Sequence, residues 1–505
     1  MIDIFYLILM IIFGIFILLI SIYIIDYFST SEEQGCVNNI FLKIIAIIGL
    51  MMVFIEILLL PLDVSNIHGK GGKLNMNTFW IISFIIIFVF SLVIIPLMIN
   101  IYELDPDLTT CEKIKNGFLF FIIDVIIFSF LFFILFLCFN KANIPFEKKN
   151  CSINGYQNSN DETISFDKKK CIIKTEDVSI KTHFLIFSFG LMSFGAYFLL
   201  TVFGGIGIVA LPLDLIRSFM IRPIKISKNR LEEMKKEIVQ TSIDLKELAK
   251  KVKSMEEKGF NKKYFWSKEK KQYNQLFNEL KVGVNIIDEQ FQLINIQNAI
   301  GETSIIQYYL SLIIGIIFLI FSIIWIIHIV LYVLLKKFYF LNNLLSIFTN
   351  NGFTFLSTFL FGFLCFYLLI CIVKGNFKFG IRFIILGSVH PMKKNETYMN
   401  SILFNIMLIL ITSVSLIHFC VKAFNEYVSM TDIDIIFSIL IKNLSFFKYF
   451  FKYNIFEWIF CGIMLISFIY LIFRSNDVNT IQKILYEKIE NEKKTKNNLI
   501  ELNET

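Results

Sequence analysis

Four ionisable side chains lie inside runs of apolar residues, and they are the first candidates for chemistry. Glu56, Asp124, His328 and His418 each fall in a stretch long enough to cross a bilayer. A charge in hydrocarbon is costly, so such residues either mark a proton or ion pathway or pair with a polar group on a neighbouring helix. Asp124 lies eighth in its run at 117–140 and is the deepest acid, so a proton- or cation-coupled path through it is the sharpest reading. One acid bonded to an adjacent helix is the simpler one. Glu56 stands five residues before Pro61 and seven before Asp63, which is expected to place it near the headgroups. The two imidazoles are expected as hydrogen-bonded packing groups rather than ligands, and Asp214, just after Pro212, as an interfacial residue.

The other reactive residues form no catalytic pattern. Nine cysteines include no CxxC and no Cys/His cluster with zinc spacing. GxSxG, HExxH, GxxxxGK[ST] and paired carboxylates in a loop are all absent, and GGIGIVALPL follows no strand that would make it a dinucleotide loop. No enzyme, cofactor or metal is expected. Cys151 and Cys171 are the two cysteines of the polar segment 141–183, where they either close a disulfide or stay unpaired thiols. Sequons at Asn150 and Asn443 fall on the same side of the membrane as that segment, while Asn395 heads one on the opposite side.

Composition says what positions these residues. Of 505 residues 56% are hydrophobic, 58 are Phe and only 18% are charged, with a mean hydropathy of +0.69. Such a chain cannot cover its apolar area in water, and the reading is an all-α, polytopic membrane helix bundle. Its net charge of +7 is too dispersed for nucleic acid. Runs at 3–27, 40–62, 79–101, 117–140, 184–220, 304–335, 353–374, 399–422 and 454–474 predict nine spans, so the termini lie on opposite sides. Gly204, Gly205 and Gly207 with Pro212 predict a kink or break in the fifth. The domains are then a bundle over 1–221, a hydrophilic segment at 222–303, a second part of the bundle at 304–474 and a tail at 475–505. Within 222–303 two narrow apolar seams, Leu231 to Met255 and Tyr273 to Ile294, predict an antiparallel helical hairpin. It carries 17 Lys and Arg against 12 Asp and Glu, and either packs on itself or meets a cytosolic protein or anionic lipid. The side of the C-terminal tail holds most of the Lys and Arg, which favours that side as cytosolic, although the long segment supplies much of the excess.

Six stretches carry a resemblance: LLLPLDVSN at 58–66, IIPLMINIYELD at 94–105, TVFGGIGIVALPLDLIRSFMIRPIK at 201–225, HPMKKNETYMNSILFN at 390–405, AFNEYV at 423–428 and KYNIFEWIF at 452–460. In this order they resemble the LIMR (lipocalin-interacting membrane receptor) family of limb-region-like membrane proteins, closest to its plant and protist branch. The resemblance implies nine spans, an extracytosolic N-terminus and a cytosolic C-terminus. It also implies that the glycines and Pro212 end the fifth span, that His390 and Pro391 belong to a family loop, and that Cys151 pairs with Cys171. Roles in that family include a receptor for an extracellular lipocalin, an escort of a lysosomal vitamin transporter and a regulator of receptor trafficking. The function expected is a receptor or trafficking adaptor at the plasma, endosomal or lysosomal membrane. It would bind an extracytosolic ligand or membrane-protein partner, and a cytosolic protein through 222–303. The alternative is a membrane transporter or the escort subunit of one.

Overall fold

Hydrocarbon offers backbone amides no partner, so long apolar runs fold as helices whose hydrogen bonds close internally. A computed structural model describes residues 4–30, 37–68, 74–104, 108–151, 171–220, 228–259, 268–302, 305–378, 382–383, 387–388 and 392–473. The chain divides into two compact units, Met1–Pro212 with Ile317–Leu471, and Leu213–Ile316 with Ile472–Thr505. In chain order the elements are α1 (Ile4–Phe28), α2 (Val37–His68), α3 (Met76–Val89), α4 (Ile95–Tyr102), α5 (Thr110–Phe139), β1 (Lys141–Cys151), β2 (Cys171–Lys181), α6 (Phe184–Met220), α7 (Lys228–Glu257), α8 (Lys268–Glu302), α9 (Ile305–His328), α10 (Phe340–Asn350) and α11 (Thr354–Lys378). A two-residue pair, β3 (Arg382–Phe383) and β4 (Gly387–Ser388), precedes α12 (Met399–Ala423), α13 (Asp432–Asp434), α14 (Phe447–Lys452) and α15 (Ile455–Phe473). Among the described residues eight helices are long and apolar enough to cross a membrane, and α1 adds a shorter apolar stretch over Ile12–Phe28. The chain is a multi-pass integral membrane protein.

The spans differ in how far they are enclosed. Of the apolar window of α12, 83% is buried, against 11% for α5, so α12 is the core helix and α5 faces lipid. Helix α2 packs along α12, with Gly49 against Ile406, and its internal Pro61 meets Gly362 of α11.

The expected break of the fifth span does not occur: α6 runs unbroken for 37 residues with Pro212 inside it. Its glycines serve packing instead. Gly204 receives the Phe460 ring, and a Cβ on Gly207 would overlap the carbonyl of Cys371. A Cβ on Gly375 would in turn overlap the carbonyl of Phe203, so α6 and α11 cross backbone to backbone. Small residues allow this approach in membranes, where close contact replaces the hydrophobic drive.

Two spans contain π-helical turns. The segment Phe90–Ile94 joins α3 to α4 just before Pro96, whose missing N–H frees a carbonyl one turn back. The second, Ile329–Leu334, extends α9.

The polar segment 141–183, read from sequence as a loop in an all-α chain, carries an antiparallel ribbon, β1–β2, in register from Lys141↔Lys181 to Cys151↔Cys171. Ile172, Ile173, Thr175, Val178 and Ile180 are β-branched and suit it. In the second unit α7 and α8 pack together, with Gly283 against Leu245 and with Val252 and Tyr273 buried. The tail 475–505 lies outside the described residues.

Candidate functional site

Beyond α12 the chain turns through 424–431 into α13, where the Thr431 hydroxyl caps the amide of Asp434, and then into a third π-helical segment, Ile435–Ile441. This wall, the π-helical end of the α9 span and the foot of the β1–β2 ribbon enclose a cleft of about 970 Å³. Backbone bonds seat the ribbon: Asn143 N–H donates to Asn443 O at 2.9 Å, and Ser445 N–H donates to Lys141 O at 2.9 Å. Lys448 of α14 adds an ion pair to Asp177 at 3.2 Å.

Five lysines line the cleft, Lys336, Lys422, Lys442, Lys448 and Lys452, against the acids Asp177 and Glu426. Two of them end π-helical turns. Lys336 follows Ile329–Leu334 in the left-handed region at φ +52°, and Lys442 caps Ile435–Ile441 with its amide on Phe437 O at 2.9 Å. A left-handed lysine is uncommon, and both such backbones and π-bulges concentrate at functional sites. Asn454, also left-handed at φ +53°, donates from Nδ2 to Val333 O at 2.9 Å and fastens the two walls.

The floor is charge-compensated. Lys422 Nζ meets Glu457 Oε1 at 2.7 Å, with Glu457 only 1% exposed. Glu457 Oε2 has no hydrogen-bond partner among the described residues. At the rim, Lys336 and Lys442 have no acid within 4 Å among the described residues. Desolvation first, then repulsion from Lys422 and Lys336, holds the Lys442 ammonium below the ordinary lysine range. The lining of the cleft carries more ammonium than carboxylate groups.

The residues singled out from sequence separate into three groups. His418 lines the cleft, its Nδ1 3.0 Å from Ser193 Oγ and its ring against Phe437 and Phe451. Ser193 is fully enclosed, so this pair orients the ring. Asn443 stands on the rim with Nδ2 donated to Ile439 O at 2.8 Å.

The second group is buried away from the cleft lining. His328 Nε2 lies 2.8 Å from Ala423 O, and its ring stacks between Tyr332 and Phe424. Glu56, expected near the headgroups, is 1% exposed inside the bundle and bonded to Ser413 of α12. Asp63 accepts from Trp80 Nε1 at 2.8 Å and from Ile433 N–H at 3.1 Å, tying α2 to α3 and α13.

Asp124 stands apart. It is exposed on the outer face of α5, where Asn100 Nδ2 donates to it at 3.3 Å. Of the remaining residues, the backbone sets Cys151 opposite Cys171 and places Asn150 beside them at the ribbon end. His390 and Pro391 lie outside the described residues.

The cleft lysines and Glu457 were not singled out in the sequence, although the stretches quoted above contain several of its members. AFNEYV supplies Asn425 and Glu426, and KYNIFEWIF supplies Lys452, Asn454 and Glu457. Their convergence was hidden because Lys422 and Glu457 stand 35 positions apart.

Comparison with known proteins bears on the whole chain. The family model for LMBR1-like membrane proteins matches residues 6–280 and 266–469. A LIMR family protein of Dictyostelium discoideum is 32% identical over 507 residues, covering 93% of this chain and 98% of the relative. LIMR family proteins of Arabidopsis thaliana and of Oryza sativa subsp. japonica are each 28% identical over 90% of this chain, covering 92% and 93% of the respective relative. No solved structure matches.

Proposed function

The chain belongs to the LMBR1-like membrane protein family, and on that premise we propose that it works as a non-enzymatic receptor or trafficking adaptor. A ligand or membrane-protein partner is received at the lysine-lined cleft, on the extracytosolic face of a plasma, endosomal or lysosomal membrane. Cytosolic machinery is met by the segment 222–303 that holds α7 and α8. The cleft carries this reading, because it opens at one end of a bundle whose core helix is enclosed over most of its length.

Transport, directly or as the escort of a carrier, is the other reading. Its two supports in the sequence were a broken fifth span and Asp124. Helix α6 is continuous and Asp124 faces outward, which shifts the weight to reception.

The test compares the full chain with a deletion of residues 231–294, each purified in mild detergent and followed by mass spectrometry of co-purifying proteins. The deletion is expected to insert in the membrane and to lose its cytosolic partners. An unchanged partner set would overturn the adaptor reading.

A further inference from the structure

The cleft has a chemistry more specific than the receptor reading requires. Among the described residues the five cations that line it are all lysines. An ammonium is a compact point charge with three rotatable donors and binds phosphate in that way, whereas a guanidinium fork matches carboxylate and phosphate alike two bonds at a time. Several such point charges converging on one cleft suit a multiply charged anion, and a phosphoryl group is one that ammoniums commonly bind.

The charges are also divided by role. Glu457 pairs with Lys422 and Asp177 with Lys448, while Lys336 and Lys442 stand at the rim with no acid within 4 Å among the described residues, Asp434 and Glu457 acting on Lys442 only from farther away. The chain places Lys336 there at the cost of a left-handed backbone. About 970 Å³ is near the top of the range for small-ligand pockets, far more than a bare ion fills. Tyr332, Tyr339 and Phe451 supply surface for the rest of the ligand.

We propose that the cleft is a phosphate-binding site, in which the Lys336 and Lys442 ammoniums hold the phosphoryl group of a larger ligand above the Lys422–Glu457 pair. The inference rests on reading the cleft as the ligand site. A phosphoryl group of this kind comes either from a soluble phosphate ester or from a lipid headgroup.

The test uses the full chain in phosphatidylcholine nanodiscs, titrated calorimetrically with inorganic pyrophosphate. Saturable binding is expected. Lys336→Gln and Lys442→Gln should each weaken it by about tenfold, the effect of one charge-assisted hydrogen bond, and Lys394→Gln should leave it unchanged. Lys336→Asn, which tolerates positive φ, repeats the test should the glutamine variant fold poorly. Adding phosphatidic acid to the nanodiscs separates the sources: suppressed pyrophosphate binding assigns the site to a lipid headgroup, and undiminished binding assigns it to a soluble ester.

Absence of saturable binding, or binding that both rim substitutions leave within twofold, overturns the proposal. A co-purified ligand without phosphate that the Lys336→Gln/Lys442→Gln double variant loses would overturn the phosphate assignment and leave the cleft as the receptor site. Expected pyrophosphate binding together with an unchanged partner set in the 231–294 deletion would do the reverse.

Discussion

Lys336 sits in a backbone conformation that costs a side-chain-bearing residue about 1–2 kcal/mol, and no carboxylate within 4 Å among the described residues offsets that cost. Lys336→Asn removes part of the strain and one rim charge together. The variant is expected to melt higher than the wild type in ligand-free detergent while binding pyrophosphate more weakly, a stability gain coupled to a functional loss. A thermal midpoint at or below that of the wild type would show that the left-handed turn is not a source of strain. The two buried-acid expectations turn on a different property of single residues. Asp124 lies deeper along its run than Glu56, yet Asp124 faces outward and Glu56 is enclosed by α12. Position along an apolar run gives depth in the membrane but not direction around the helix, and spans apolar on every side carry no stripe to supply it. The sequence therefore located both acids in their helices and could not rank their burial. Lys422 and Glu457 were hidden for a related reason, since a pair joined across two helices leaves no spacing to read.

At the scale of the element, the crossing of α6 and α11 is set by two glycines. Gly207 and Gly375 each face a backbone carbonyl of the other helix, so an added methyl group meets atoms that no rotamer change can move. Gly207→Ala and Gly375→Ala are each expected to lower the thermal midpoint sharply, with an overpacking cost on the order of 1–3 kcal/mol or more. Gly195→Ala, in the same helix with nothing within 4 Å of the new carbon, should be neutral or raise it slightly. Equal effects at Gly195 and Gly207 would mean that helix propensity, not the crossing, governs this span. Glycine in an apolar run reads equally as a bend or as a contact surface, and only the partner helix decides between them. The ribbon was obscured in another way. Its β-branched residues were visible, but lysines, a sequon and a long polar connection made 141–183 look like a loop. The register is that of the ladder from Lys141↔Lys181 to Cys151↔Cys171, and the bond from Thr182 N–H to Asn140 O fixes which of its cross-strand pairs are hydrogen-bonded.

Across the whole molecule, the same lysines bear on both function and orientation. Lys336, Lys442, Lys448 and Lys452 lie on the side opposite the C-terminal tail in the nine-span reading, where they dilute the excess of positive charge that would mark the tail's side as cytosolic. Their convergence on one cleft gives them a reason to be there that owes nothing to insertion. If the proposed ligand role is right, these lysines do not argue against an extracytosolic cleft. Two exposed cysteines at opposite ends of α5 make this testable, since Cys111 opens the helix and Cys138 stands next to its last residue. The ribbon, on the same side as Cys138, sets the backbone of Cys151 opposite that of Cys171. Counting from the hydrogen-bonded pair Asn140/Thr182, Cys151 and Cys171 fall at a non-hydrogen-bonded position, where Cα atoms lie about 4.5 Å apart, within the range a disulfide spans. In sealed vesicles with the cytosolic face outward, a membrane-impermeant maleimide is expected to label Cys111 and not Cys138, read in a Cys36→Ser background because Cys36 falls on the same side as Cys111 in the nine-span reading. Permeabilisation should add Cys138, and Cys151 and Cys171 should label only after reduction. Labelling of Cys138 before permeabilisation would place the cleft in the cytosol, where its phosphate ligand would come from cytosolic esters or inner-leaflet headgroups.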